Sequence, residues 1–379
     1  MDKVKLKELV DIYLGVTHTP EYVLSGVPFL SVKDISNGAI SFDNCKYISE
    51  AEYNSLSEGA KPKVGDMLFC RVGTLGKPII IPEGTPLFGS FVSLGYLRNK
   101  NPEKCNLNYL RYWMNSSAFW HQVQANVKGA SQVNLNTGWL SKFDVVLPDF
   151  EEQAYRITIL DECSKIIKKR NDQLKSLDEL IKARFVELFG MPVSNTKGWK
   201  TSPMNDVAPT VNYEGDFEEE IWLLNLDMVE AQTGRIIDYL YVTEDEVGNS
   251  TCTFDTSNVL YSKLRPYLNK VVIPDRCGYA TSELVPLQPV ISKINREYLA
   301  YMLRSDEFVR MINEKVAGAK MPRVSMGDFR KFEVPIPPMN LQERFTVFVE
   351  QVDKSKAAVQ KSLDEAQMLF DSLMQQYFG

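Results

Sequence analysis

The chain repeats itself over a long period, and this limits its possible folds more than any other feature. Residues 108–190 laid over 297–379, an offset of 189 with no gap, give 19 identities in 83 positions; unrelated sequences of average composition give about five. Tyr109-Leu110-x-Tyr112 falls on Tyr298-Leu299-x-Tyr301, and Phe119 on Phe308. Val127-x-Gly129-Ala130 falls on Val316-x-Gly318-Ala319, and Phe143-x-Val145-x-x-Pro148 on Phe332-x-Val334-x-x-Pro337. Gln153 meets Gln342, Leu174 meets Leu363, and Phe189-Gly190 meets Phe378-Gly379. Earlier segments match more loosely, as in Leu68-Phe69-Cys70-Arg71 with Leu260-Tyr261-Ser262-Lys263. The chain is therefore two copies of one unit, each a globular segment followed by a long helix.

The helices announce themselves by what precedes them and by their period. Val145-Val146-Leu147-Pro148 and Val334-Pro335-Ile336-Pro337-Pro338 read as strands closed by proline, which holds the preceding residue extended and favours a clean break into helix. Asp149 with Glu152, and Asn340 with Glu343, are candidate capping boxes, although the two pairs are not in equivalent register. No Gly or Pro interrupts either helix before Gly190 or Gly379. Leu160, Ile167, Leu174, Ile181 and Leu188 recur every seven residues, with Leu177 on the partner line. Val349, Lys356, Leu363, Phe370 and Tyr377 form one line of the second helix, and Val352, Val359, Ala366 and Leu373 the other. This is a coiled-coil seam, and two helices of nearly equal length are natural mates. At 1.5 Å per residue each is roughly 55–60 Å long. Antiparallel pairing would set the two globular units at opposite ends of a rod and return the C-terminus towards the N-terminus. The expected architecture is mixed α/β with a pseudo-two-fold internal repeat: globular domains over 1–148 and 191–338, and helices over 149–190 and 339–379.

Composition adds limits. A hydrophobic fraction of 44% and a charged fraction of 24% are those of a folded globular protein. No apolar run approaches the roughly eighteen residues of a membrane span, and Asp2, Lys3, Lys5, Lys7 and Glu8 stand where a secretion signal needs an apolar stretch, so a cytoplasmic address is expected. The six cysteines show no CxxC spacing, and His18 and His121 are far apart, which argues against zinc or a disulfide framework. The net charge of −6 does not advertise a nucleic-acid binder. Lys+Arg against Asp+Glu runs 15 to 14 over 1–150 but 16 to 21 over 191–338, so DNA binding would need local basic loops or a partner's help.

Catalytic signatures fail on inspection. An adenine methyltransferase needs an Asn/Asp-Pro-Pro-Tyr/Phe motif, and Asn101-Pro102 is followed by Glu103. Gly73-Thr74-Leu75-Gly76-Lys77 resembles part of a P-loop, but Arg71 replaces its first glycine and Pro78 its magnesium-binding hydroxyl. The acidic runs Glu218-Glu219-Glu220 and Glu244-Asp245-Glu246 read as solvated loops.

Several segments together carry a family resemblance spanning nearly the whole chain. Leu147-Pro148-Asp149-Phe150-Glu151-Glu152-Gln153, and then Leu177 through Phe189-Gly190, are similar to the central conserved region of specificity subunits of type I restriction-modification systems. The second copy, from Val334 through Gln342-Glu343 to Phe378-Gly379, resembles it more weakly. Val259 through Lys270, and Gly65-Asp66-Met67-Leu68-Phe69 with Gly73 through Lys77, are similar to segments of that family's target recognition domains. The resemblance implies two domains that each read half of a bipartite double-stranded DNA site, and a helix pair that docks two modification subunits. It also implies that S-adenosylmethionine, ATP and magnesium belong to the modification and motor-nuclease partners, this chain binding no cofactor or metal and catalysing nothing.

Base edges are read by Arg, Lys, Asn and Gln, while phosphate contacts position the protein. In the first domain the candidates are Lys128, Ser131, Gln132, Asn134 and Asn136 in one polar loop, with Lys33, Arg71, Thr74 and Lys77 in Gly-flanked turns. In the second they are Lys320 and Arg323 in the corresponding loop, with Lys263, Arg265, Tyr267 and Lys270. Matched positions differ, Ser131 against Lys320 and Asn134 against Arg323, so two reading loops should prefer different half-sites. The alternative expectation is a coiled-coil adaptor that bridges two identical proteins without DNA.

Overall fold

The computed structural model describes residues 2–36, 38–73, 75–126, 134–217, 220–317 and 321–379. It divides into two compact units, Met1–Arg170 with Ser362–Gly379, and Asn171–Lys361. Each unit is mixed α/β.

In the first unit an antiparallel sheet runs in the order Val10–Leu14, Leu94–Asn99, Met67–Cys70, Gly76–Ile80. A second sheet holds Gly89–Ser90, Val27–Leu30, Lys46–Ile48 and Tyr22–Val23. Asp2–Lys5 pairs antiparallel with Asp144–Leu147, the strand that leads into the first long helix. The second unit repeats the scheme. One sheet orders Leu240–Val242, Ile221–Leu224, Gly278–Thr281 and Thr251–Phe254; the other orders Val271–Val272, Val259–Ser262 and Leu284–Leu287. Thr201–Pro203 pairs with Glu333–Pro335 ahead of the second long helix.

The duplication is visible bond by bond. Gln153 and Gln342 are both fully buried. The Gln153 Nε2 donates to the carbonyls of Lys104 (3.0 Å) and Pro148 (2.9 Å), and its Oε1 accepts from the Asn106 N–H (2.9 Å). Gln342 makes the same three bonds to Lys293 (3.0 Å), Pro337 (2.8 Å) and Asn295 (2.9 Å). Asn106 and Asn295 cap the helices Leu107–Trp113 and Arg296–Arg304. From those helices the Tyr109 hydroxyl donates to the Val146 carbonyl (2.9 Å) and the Tyr298 hydroxyl to that of Pro335 (2.8 Å). Burial pushes the Tyr109 phenol up to about 12, and that of Tyr298 upward too, so both remain neutral donors. One buried amide thus ties strand, long helix and short helix together in each unit.

The long helices span Phe150–Phe189 and Met339–Phe378. In the first unit, Ile157 and Leu160 near the start of the first helix share a core with Phe370, Leu373, Met374, Tyr377 and Phe378 near the end of the second. Arg156 donates to the Tyr377 carbonyl at 3.1 Å there. In the second unit, Leu177, Ile181, Phe185, Leu188 and Phe189 share a core with Phe345, Val349 and Val352. The Lys356 ammonium meets the Asp178 carboxylate at 2.7 Å. The helices therefore run antiparallel within each unit, and every expected seam residue, Ile167, Leu174, Val359, Leu363 and Ala366 included, is buried or half-buried. Burial works against the charge on Lys356, yet its bond to Asp178 carries the ammonium's pKa upward, so this cation on the seam is held by the opposing helix.

One local expectation needs correction. Asp149 does cap the first long helix, its Oδ1 accepting from the Glu152 N–H at 2.8 Å. Asn340 does not cap the second, which begins at Met339, with the Pro338 carbonyl accepting from Leu341 and Gln342. The buried Gln342 sets the register, and that register puts Pro338, which lacks an acceptor side chain, at the position of Asp149.

Candidate nucleic-acid interface

The candidate loops come together because strand ends are pinned to them through the backbone. In the first unit the strand Met67–Cys70 ends at Arg71, whose N–H donates to the Ser93 carbonyl (2.9 Å) and whose carbonyl accepts from Leu135 (3.0 Å). The Ser93 hydroxyl in turn accepts from the Val32 N–H at 3.1 Å. Three segments far apart in sequence, the 31–34 turn with Lys33, the turn that begins at Arg71 and the 134–136 exit, are so linked through Ser93 and Arg71.

The second unit builds the same frame from different side chains. The Lys263 N–H donates to the Glu283 carbonyl (3.0 Å), and its carbonyl accepts from Val324 (2.9 Å). Arg265 donates its N–H to the Pro322 carbonyl at 2.8 Å, and Leu264 bridges Arg323 antiparallel. The turns share their backbone signature: Gly73 (φ 71°) and Arg265 (φ 48°) are left-handed, as are Lys77 (φ 46°) and Asn269 (φ 50°). A non-glycine residue at positive φ is strained, and finding it twice at matched sites marks a turn held by its surroundings.

Several side chains at these positions make bonds within the fold, and several are exposed. The Arg71 guanidinium is half-buried and donates to the carbonyls of Leu135 (3.1 Å) and Val92 (3.3 Å). Asn136 caps the helix Thr137–Leu140, its Oδ1 accepting from Gly138 at 2.7 Å. The Lys270 ammonium donates to the Leu226 carbonyl at 2.6 Å, and burial lowers its pKa against the pull of Asp227. Lys77 and Lys263 are half-buried. Lys33, Asn134, Arg265, Tyr267 and Arg323 are exposed, and the Arg323 guanidinium is paired with Glu283. Thr74, Lys128, Ser131, Gln132 and Lys320 lie outside the described residues.

Two features escape the sequence. Glu283 occupies the place of Ser93, and Asp227 that of Lys33, so the negative balance of the second domain reaches its candidate face. An arginine–aromatic cluster also forms in the second unit, where the Arg276 guanidinium lies over the exposed ring of Tyr239 (5.2 Å), with the buried Trp222 ring behind (5.9 Å), and donates to the Tyr241 hydroxyl (2.6 Å). Its members are scattered in sequence, and no local motif announces it.

A duplicated mixed α/β chain whose two units each carry half of an antiparallel helix pair defines a class of protein, and comparisons agree on which. Residues 228–367 match the family model described as the type I restriction modification DNA specificity domain. The chain is 23% identical over 292 residues to the EcoDI type I restriction enzyme specificity subunit of Escherichia coli, covering 67% of this chain and 65% of that relative. It is 22% identical to the MjaIX specificity subunit of Methanocaldococcus jannaschii, covering 98% of this chain and 91% of the relative. Among solved structures, the type I restriction-modification S subunit from M. genitalium superposes with a TM-score of 0.52 at 14% identity, over 100% of this chain and 96% of that one. A chain from a structure of type I assembly and conformational transition superposes with a TM-score of 0.57 at 15% identity, over 100% and 97%. The fold is that of these subunits, and the family model and the relatives show the same likeness in sequence.

Proposed function

We propose that this chain reads DNA for a type I restriction-modification complex, each globular unit recognising one half of an asymmetric bipartite site. The observation that carries the reading is the paired frame around Ser93 and Glu283: one backbone scaffold, built twice, presents different side chains from matched positions. A duplicated reader with divergent tips suits two unlike half-sites, with the helix pair setting their spacing. The names of the relatives favour this over a coiled-coil adaptor that bridges proteins without DNA. In this reading the chain is a non-catalytic cytoplasmic subunit. Two modification subunits dock on the helices and bring S-adenosylmethionine, and motor-nuclease subunits bring ATP and magnesium. The partners also supply part of the phosphate grip, which reconciles DNA binding with a net charge of −6.

Co-expression with the cognate modification subunit, followed by single-molecule sequencing of methylated bases, tests this directly. One bipartite motif with N6-methyladenine in both halves is the expected result, and replacing residues 191–338 with those of a relative should change one half only. A competent, stably bound modification subunit that yields no motif would overturn the reading in favour of the adaptor.

A further inference from the structure

The most informative side-chain pair on the candidate face is Arg323 with Glu283. The Arg323 Nη2 donates to Glu283 Oε1 at 2.8 Å, and its Nε approaches Oε2 at 3.4 Å. The carboxylate side chain is 20% exposed and the guanidinium 52%. An ion pair this exposed adds little to folding stability, and a carboxylate beside a polyanion repels it, so neither stability nor phosphate affinity accounts for Glu283. What the pair does supply is orientation. Glu283 engages the guanidinium from its Nε side, which fixes the plane of the group and leaves the end-on pair of Nη1 and Nη2 hydrogens pointing away from the carboxylate. That end-on fork is the donor pattern that matches the O6 and N7 acceptors of guanine in the major groove.

The backbone beneath the pair is equally constrained. Pro322 accepts from Arg265, Arg323 bridges Leu264, and Val324 donates to Lys263, so three consecutive residues are tied to the neighbouring turn. Glu283 is anchored likewise, its carbonyl accepting from Lys263 at 3.0 Å. At the matched place in the first unit stand Asn134 and Ser93, and the Ser93 hydroxyl is already engaged by the Val32 N–H. Ser93 has no carboxylate with which to orient a cation, and an asparagine matches adenine rather than guanine.

We infer that Arg323, oriented by Glu283, is a specificity-determining residue that reads a guanine in the half-site recognised by the second unit, while the first unit reads a different base from the matched position. This rests on the DNA-reading function proposed above. Arg323 touches the base; Glu283 acts through it as a positioning residue.

The test uses the complete complex with its cognate modification subunit, and selects preferred sites from a randomised duplex library for the parent protein, Arg323→Ala, Arg323→Lys and Glu283→Gln. In the parent, a guanine is expected at one position of the second half-site. Arg323→Ala should relax that position by about tenfold or more and leave the first half-site untouched. Arg323→Lys, which keeps the charge and loses the fork, should restore overall affinity and its salt slope but not the guanine preference. Glu283→Gln should weaken discrimination at the same position with little loss of affinity. Four results would overturn the inference: no guanine preference at any position that Arg323→Ala alters, full rescue of specificity by lysine, unchanged discrimination in Glu283→Gln, or equal loss in both half-sites. A parent complex that selects no bipartite site would instead sink the functional reading itself. Thermal unfolding of each variant separates these outcomes from misfolding.

Discussion

Gln153 and Gln342 are buried amides whose neighbours leave them no alternative partner. Each satisfies two carbonyls and one N–H at the junction of a strand and two helices. Replacing either with alanine strands those backbone groups in a dry site, at a cost of about 1–3 kcal/mol for each group left unsatisfied. Gln342→Ala is therefore expected to lower the unfolding midpoint clearly, and Gln342→Glu should do no better, because burying a carboxylate against two carbonyl oxygens is worse than removing it. Denaturant titration of both variants checks this. The identity of the two glutamines was legible in the aligned repeats, but their role was not, since two of the three partners of each lie 47 and 49 positions away in sequence. Arg71, Asn136 and Lys270 teach the reverse lesson. Their residue types suit DNA contacts, and the structure adds intramolecular bonds that the sequence did not announce: the Arg71 guanidinium and Lys270 ammonium donate to carbonyls, and the Asn136 Oδ1 caps a helix.

Among the elements, the long helices were the most readable. A seven-residue period of apolar groups without Gly or Pro demands a helix with a partner, and each expected seam position is buried or half-buried. What the period could not convey is how each helix end completes a core. Phe378, next to last in the chain, packs against Tyr109 with ring centroids 4.9 Å apart, and Phe189 packs against Tyr298 at the same separation. Each repeat thus lends its final aromatic to the other repeat's globular core. Phe378→Ala should then destabilise the first unit and Phe189→Ala the second, each by about 3–5 kcal/mol. Hydrogen exchange resolved by segment reads the difference: Phe378→Ala should lower protection around Leu107–Trp113 rather than around Arg296–Arg304.

For the whole molecule, that exchange of helix ends means connectivity and compactness follow different boundaries. The first unit takes in the chain's beginning and its last eighteen residues, Ser362–Gly379. Phe378 lies on Tyr109, whose hydroxyl donates to the Val146 carbonyl, and Val146 pairs with Lys3. Lys3 and Phe378 are linked in this way within one unit, so a circular permutant is expected to fold. Joining Gly379 to Met1 through a short flexible linker and opening the exposed turn between Lys197 and Gly198 should give the parent's unfolding profile and methylation motif. Loss of either half of the motif would mean that the order of the two repeats matters.

The sequence alone determined the duplication, the mixed α/β class, the two helices with their seam, and the family resemblance. These are written as identities at a fixed offset, as a period along the chain or as contiguous motifs, so they need no knowledge of distant contacts. Tertiary structure alone decided which polar side chains make bonds within the fold, that Glu283 stands beside Arg323, and that each core is closed by the other repeat's last turn. Those outcomes depend on which distant backbone acceptors, carboxylates and rings come within hydrogen-bond or packing distance. Only the folded chain brings them there.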